Sequence, residues 1–165
     1  AVPWCTLRPT IILGEDSPIW HSFRTLAGKS LIVLPGNGRT LIQPIDVDDL
    51  VRLVLDIIGE QRFNNEVLEI GGPEALSLDA FVQRIHQACC GGQPRIVHLP
   101  LGLVLTPLRL VERVFPSLLP VSSGQFASFN NDGTVTAHAL VMPAAGRMRD
   151  VGEMLQRLTG SETHD

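Results

Sequence analysis

Two histidines and two cysteines near the middle of the chain are the side chains best suited to hold a metal ion. They are His86, Cys89, Cys90 and His98. Imidazole nitrogen and thiolate sulfur are the usual ligands of zinc, but zinc sites show cleaner paired spacing than these four positions do. Unbridged cysteines are also common as small buried apolar residues. The pattern therefore predicts no metal site.

Three aspartates, Asp46, Asp48 and Asp49, stand directly before an apolar periodic run at residues 50–58. Such carboxylates can bind a divalent cation or act as an acid and a base. Their place before a helix favours another role, because carboxylates cap the first turn and complement the helix dipole. The helix behind them is apolar on more than one face, which predicts that it is sandwiched between a sheet and another layer.

Two further patterns concern the binding of anions. Gly36 and Gly38 resemble part of a phosphate-binding loop, but a third glycine and a following helix are missing, which favours a plain turn. Arg147 and Arg149 carry guanidinium groups of the kind that pairs with a phosphate or a carboxylate. A solvated face is the interpretation that the pattern favours for both arginines.

Composition excludes several classes of function. The 165 residues fit one domain, with a net charge of -4 and no basic cluster, which argues against a nucleic-acid partner. The apolar stretch at residues 96–108 is shorter than a bilayer span and is broken by Pro100 and Pro107, so no transmembrane segment is expected. Three cysteines, an odd count, indicate reduced thiols and a cytoplasmic location.

The two ends of the chain also carry expectations. The first residues lack a basic region followed by an apolar core, so no signal peptide is expected there. The chain begins with Ala rather than Met, which suggests a fragment, a processed product or a trimmed chain. One α/β domain over residues 1–160 is predicted, with a frayed tail at 161–165.

Apolar periodicity and turn residues predict an α/β chain with few strands and several helices. The run at residues 4–14 is typical of a buried strand that ends near Pro9, because proline removes a backbone donor. Ser17 and Pro18 start a helix that stops at Gly28, and Ser77 starts another with Cys89 on its apolar face. Further strands are predicted at 31–34, 66–70 and 96–99, turns at 35–38, 64–65 and 130–133, and helices at 101–115, at 122–129 and from 151 onward.

Four segments in order resemble the extended and atypical short-chain dehydrogenases of the NAD-dependent epimerase/dehydratase family. Residues 6–14 are similar to the family's RPxxVYG segment, and residues 43–50 to its QPVxVxDV segment. Residues 67–77 resemble YELGGPExLT, and residues 119–132 a later segment of the same group. The nearest branch is the one that includes the dehydrogenase-like accessory subunit of respiratory complex I. The resemblance covers nearly the whole chain.

This resemblance implies that the chain is the C-terminal part of a Rossmann-like NAD(P)-binding fold. Members of the family bind NAD or NADP on an N-terminal Gly-rich unit and use a Tyr-x-x-x-Lys pair, both of which would precede this chain. The chain has no tyrosine, and Lys29 is its single lysine, so no catalytic residue is assigned and the chain alone is predicted to be inactive. Leu13 also departs from the family, which often has an aromatic residue in that loop.

The resemblance further implies roles for five residues. Pro9, Thr10 and Ile11 would border the nicotinamide end of the cofactor, and Gln43 and Arg147 would contact the substrate. Two functions follow as alternatives: the substrate-binding part of an enzyme that acts on a small molecule or nucleotide sugar, or a non-catalytic nucleotide-binding scaffold or assembly factor. A homo-oligomer or association with an electron-transfer complex is expected as a possible assembly.

Overall fold

The computed structural model describes residues 2–61, 65–100, 133–135 and 148–160. Four helices lie in these ranges: α1 (Pro18–Ala27), α2 (Val47–Gly59), α3 (Leu78–Cys90) and α4 (Val151–Gly160). Four strands of five residues accompany them: β1 (Cys5–Pro9), β3 (Leu31–Pro35), β6 (Glu66–Ile70) and β8 (Arg95–Leu99). Four strands of two residues complete the set: β2 (Ile12–Leu13), β4 (Leu41–Ile42), β5 (Ile45–Asp46) and β7 (Leu76–Ser77).

Side-chain caps set the starts of the helices. Ser17 and Ser77 accept hydrogen bonds from the backbone N–H groups three residues later, at 3.5 and 3.2 Å. Asp150 and Glu153 form a reciprocal capping box before α4, with bonds of 2.8 and 3.2 Å. Gly91 ends α3 with a φ of 72°, which residues other than glycine rarely adopt. The helices predicted from these cap residues are confirmed.

Parallel pairing dominates the strands. β1 pairs with β6, β2 with β5 and β3 with β8, all in parallel, while β4 and β7 are antiparallel. The helices between the parallel strands supply the long connections that such pairs require. The predicted α/β class is confirmed, and the strands predicted at 66–70 and 96–99 occur as β6 and β8.

The core consists of two clusters. The larger one joins α1, α3 and α4 to β3, and in it the rings of Phe23 and Phe81 meet edge to face at 5.1 Å. The smaller one packs Leu53 and Ile57 of α2 against Leu68 and Ile70 of β6. The second cluster therefore places α2 against the β1–β6 pair, whose carboxyl ends form the site described below.

Two predictions about burial are wrong. The α2 helix buries Leu53 and Ile57 but exposes half or more of Val51, Leu55 and Ile58, because no described element covers its far face. Within the described residues, therefore, α2 is packed on one face and is not sandwiched. Cys89 is exposed rather than on the buried face of α3, because the packing against α1 and α4 stops one turn earlier.

The first strand is also less buried than its sequence predicts. β1 is half-buried at Cys5, Leu7 and Pro9 and exposed at Thr6 and Arg8, because a layer of the described chain covers one face only. The predicted helices at 101–115 and 122–129, most of the turn at 130–133 and the tail at 161–165 lie outside the described residues. In the part of the chain that the structure describes, no helix is both long enough and apolar enough to cross a membrane.

Candidate functional site

The carboxyl ends of β1 and β6 lie side by side. The two strands are parallel, with Pro9 opposite Ile70, and the Thr10 N–H donates to the Ile70 carbonyl at 2.8 Å. The loops that leave the two strands, residues 10–11 and 71–75, therefore begin at the same edge. In open α/β sheets this edge is where ligands bind.

Gln43 connects these two loops. The Thr10 hydroxyl donates a hydrogen bond to the Gln43 carbonyl, and the Gln43 side-chain Nε2 donates to the Gly72 carbonyl at 2.7 Å. The Val135 N–H donates to Gln43 Oε1 at 3.0 Å, so a third segment forms a hydrogen bond with the Gln43 side-chain amide. Gln43 therefore bonds to three distant segments, through its backbone carbonyl to Thr10 and through its half-buried side chain to Gly72 and Val135, and this fixes their relative positions.

Two glycines allow the close approach of these segments. A Cβ on Gly71 would lie 2.5 Å from the Gln43 side-chain carbon Cδ. A Cβ on Gly72 would overlap the Pro44 carbonyl oxygen and lie 3.0 Å from the Pro44 carbonyl carbon. The Gly-Gly-Pro sequence that predicts a strand end therefore also marks the point where two backbones touch.

An ion pair fastens the loop after β6 to helix α3. Arg84 and Glu74 pair through two contacts, Nη1 to Oε2 at 2.8 Å and Nη2 to Oε1 at 2.6 Å. The hydrogen bond with Glu74 raises the pKa of Arg84 above its ordinary value. The pair holds the segment that follows Gly72 in place.

Four of the five residues predicted for the site come together here. Pro9, Thr10 and Ile11 form the exit of β1, and the Ile11 carbonyl accepts a hydrogen bond from the Ile45 N–H at 2.9 Å, two residues from Gln43. The structure does not describe Arg147. We call Pro9, Thr10, Ile11 and Gln43 the carboxyl-end cluster. It contains no titratable side chain, so it can bind and orient a ligand but cannot exchange a proton with one.

A second group of polar residues lies at the start of α2. The Asp46 side chain is fully buried and caps the helix by accepting from the Asp48 N–H at 2.8 Å. Arg149 Nη1 lies 3.0 Å from Asp46 Oδ1 and 3.2 Å from Asp48 Oδ2. Arg157 Nε lies 3.1 Å from the other oxygen of Asp46. We call this group, with Asp49, the aspartate–arginine cluster.

Electrostatics and hydrogen bonds both favour the charged form of Arg149 in this cluster. Burial acts to lower the pKa of Arg149, but the carboxylates of Asp46, Asp49 and Asp48 outweigh it, so the pKa lies above its ordinary value. The Arg149 N–H also donates to Asp49 Oδ2 at 2.6 Å, and Arg52 pairs with Asp49 Oδ1. The cluster therefore links α2 to α4 through ion pairs within the chain.

The aspartate–arginine cluster tests the predictions made from the sequence for the aspartates and for Arg149. Capping is confirmed for Asp46, whereas Asp49 accepts from arginine groups and does not cap. The solvated face predicted for Arg149 is wrong, because the carboxylates that bind its guanidinium belong to this chain. Sequence spacing carried no sign of the partnership, since the aspartates and Arg149 are about a hundred residues apart.

The four candidate metal ligands, His86, Cys89, Cys90 and His98, do not all come together in the described part of the chain. His98 Nε2 pairs with both oxygens of Asp79, at 2.9 and 3.0 Å, whereas His86 Nδ1 lies 2.6 Å from the Ala27 carbonyl oxygen. Burial raises the pKa of the Cys5 thiol, and Glu66 raises it further, which keeps that thiol protonated. Among the described residues no three metal-binding side chains cluster.

We expect Gln43→Glu to lower the free energy of unfolding by about 1–3 kcal/mol, because a carboxylate oxygen would face the Gly72 carbonyl with no proton between them. Urea unfolding measures this change. Gln83→Glu, on the exposed face of α3, is the matched control and should change stability by less than about 0.5 kcal/mol. Equal effects of the two substitutions would contradict the role of the Gln43 amide.

No protein-family model matches the chain. A curated relative, the chloroplast stem-loop binding protein of 41 kDa b of Arabidopsis thaliana, is 29% identical over 101 residues. Those residues make up 59% of this chain and 26% of the relative. The chain therefore spans about a quarter of that protein's length.

Solved structures resemble nearly the whole chain. Human epimerase family protein SDR39U1, solved with NADPH, superposes with a TM-score of 0.64 at 17% identity, covering 94% of this chain and 48% of its own. A nucleoside-diphosphate-sugar epimerase of Staphylococcus aureus superposes with a TM-score of 0.63 at 14% identity, covering 92% of this chain and 51% of the epimerase. The dTDP-glucose 4,6-dehydratase of Bacillus anthracis, solved with NAD, superposes with a TM-score of 0.60 at 16% identity, covering 97% of this chain and 45% of the dehydratase.

These likenesses establish the fold. The chain has the α/β fold of one part of the Rossmann-like NAD(P)-binding epimerases and dehydratases, and it spans about half the length of the three structures. The predicted fold and the resemblance to these proteins are confirmed. The nearness to the complex I branch stays a prediction.

Proposed function

We propose that this chain is the substrate-side portion of an NAD(P)-dependent nucleoside-diphosphate-sugar epimerase, dehydratase or reductase-like protein. The observation that carries the proposal is the carboxyl-end cluster, where Pro9, Thr10, Ile11 and Gln43 come together at the ends of two parallel strands. The fold shared with structures that hold NADPH or NAD supports it.

The cluster suits one end of the cofactor rather than all of it. Pro9 and Ile11 are half-buried apolar residues, which fits contact with a flat nicotinamide ring. The sequence contains no G-x-G-x-x-G fingerprint, so we propose that groups outside this chain bind the cofactor's pyrophosphate. NAD or NADP, when bound, supplies hydride transfer. The residues of this chain position the ring and the sugar and exclude water.

The outer edge of β1 shows where the other part of the cleft would join. The Trp4 carbonyl and the Thr10 N–H both bond toward β6, at 2.9 and 2.8 Å. Because successive residues of a strand direct their backbone groups to opposite edges, Cys5 and Leu7 face away from β6. Pro9 faces the same way, so its missing N–H costs the β1–β6 pair nothing. No described strand pairs with this edge.

Gln43 is proposed to line the sugar side of the cleft, and Arg147 to bind a phosphate or carboxylate of the substrate. The Gln43 amide already bonds within the chain, and its second N–H is the group left for a ligand. We further propose that the chain acts in the cytoplasm and assembles with a second copy of itself or with an electron-transfer complex. The name of the plant relative refers to the chloroplast.

Titration by two-dimensional NMR tests the proposal. We expect NADP+ and UDP-glucose to bind the chain with a dissociation constant on the order of 1 mM, because half of the contacts are missing. Shifts should concentrate at the Thr10 and Ile11 amides and at the Gln43 side-chain NH2. The exposed Gln83 side chain of α3, which does not belong to the cluster, should not shift. Shifts confined to other residues, or none at millimolar ligand, would contradict the proposal.

A further inference from the structure

A cavity with a mixed polar and apolar lining opens at the amino ends of the β3–β8 pair. Its volume is about 580 Å³. It lies between the end of α1, the end of α3 and the first residues of the two strands. Its lining includes Ser30, Leu31, His86, Cys90, Gln93 and Arg95. We call it the Cys90 cavity.

A hydrogen bond to the backbone determines which ring nitrogen of His86 carries the proton. His86 is only 8% exposed, and its Nδ1 lies 2.6 Å from the Ala27 carbonyl oxygen. A carbonyl can only accept, so Nδ1 must carry the proton. In the neutral ring, Nε2 is then left as a proton acceptor in a residue that lines the cavity. This is the arrangement of a histidine that acts as a general base.

Cys90 lines the same cavity as His86. It follows His86 by four residues on α3, so the two side chains are neighbours on one face of the helix. Its thiol is exposed. Cys89, the adjacent residue, is also exposed but points to another face of the helix and does not line the cavity.

Arg95 adds the charge that selects a ligand. It is the first residue of β8, its side chain borders the cavity, and a guanidinium binds carboxylates in two-point contacts. The positive charge argues against a metal cation and favours an anionic reagent. A thiol, a base and an arginine in one cavity fit a small disulfide that carries carboxylates.

We propose that Cys90 undergoes thiol–disulfide exchange with small anionic disulfides bound in this cavity. His86 Nε2 accepts the Cys90 proton, and the thiolate sulfur attacks one sulfur of the disulfide. That S–S bond breaks as a new one forms to Cys90. The departing thiolate takes the proton from His86, so Cys90 is oxidised and one equivalent of small thiol is released. The inference does not depend on the proposed function, because no residue of the carboxyl-end cluster lines the cavity.

Two disulfides of different charge test this inference on the intact chain. With oxidised glutathione, which is anionic, Cys90 should react about tenfold faster than Cys89, as measured by peptide mass spectrometry. With the neutral 2-hydroxyethyl disulfide the preference should persist but shrink. Equal rates at the two cysteines with oxidised glutathione would overturn the proposal.

Substitutions distinguish the contributions of His86 and Arg95 to the reaction of Cys90. Arg95→Gln should slow the glutathione reaction at Cys90 and leave the neutral reaction unchanged, whereas His86→Gln should slow both about tenfold or more. Cys89→Ser is the matched control and should leave the Cys90 rates as they are. His86 is buried, and its replacement can unfold the chain. The Arg95→Gln variant, at an exposed position, is therefore sufficient by itself to test the proposal. If it slows both reactions equally, or neither, the proposed anion selectivity is wrong.

Discussion

Gly72→Ala is expected to lower the free energy of unfolding by about 3 kcal/mol, the upper end of the usual cost of overpacking. The new Cβ would overlap the Pro44 carbonyl oxygen and lie 3.4 Å from Ile45 Cα. Both obstacles are backbone atoms, and Pro44 is itself buried. Relief therefore requires the 43–46 segment to move away from the loop after β6, which would also break the Gln43 hydrogen bond to Gly72.

Urea unfolding monitored by circular dichroism measures this effect. Gly59→Ala is the matched control, because no atom lies within 4 Å of its Cβ position. Gly59 is the last residue of α2, and alanine there should leave stability unchanged or raise it by up to about 1 kcal/mol. A Gly72→Ala protein as stable as the Gly59→Ala protein would show that the two loops do not touch as described.

Asp46→Asn is expected to cost about 3 kcal/mol of unfolding free energy, because it removes the buried partner of two arginines. The Asp46 side chain has no exposed surface, and its two oxygens bind Arg149 and Arg157 separately. Asparagine still caps helices well, so the substitution keeps the cap of α2 and isolates the loss of charge. The consequence should be the release of α4 from α2.

Asp48→Asn provides the control within the same cluster. Asp48 pairs with the same two arginines, but half of its side chain is exposed, so its loss should cost less than about 1 kcal/mol. Urea unfolding of the two variants in parallel gives the difference. Equal losses would mean that burial does not set the strength of these ion pairs.

Local signals in the sequence predicted most of the helices and longer strands. Ser17 and Ser77 with the apolar spacing behind them were sufficient for α1 and α3, because a cap and its helix lie within four residues. The strands of two residues were not predicted, since β2 and β5, or β4 and β7, become strands only when a remote segment pairs with them. Periodicity also could not tell how many faces of α2 would be covered.

The site was predictable in part. The resemblance of residues 6–14 and 43–50 to family segments predicted Thr10 and Gln43 as site residues. The structure joins these two residues by a hydrogen bond. The cross-links of Gln43 to Gly72 and Val135 span 29 and 92 residues, and no local pattern encodes such partners. The same holds for Asp49 and Arg149, whose charges were visible while their pairing was not.

The central claim is that this chain forms one wall of a cleft and that the outer edge of β1 is left for the other part. Amide hydrogen exchange measured by NMR tests it most directly. The Thr6 and Arg8 amides face β6 and should exchange slowly, whereas those of Cys5 and Leu7 face the outer edge and should exchange fast. Equal protection of all four amides would contradict the claim, because both edges of β1 would then be paired within this chain or with a second copy.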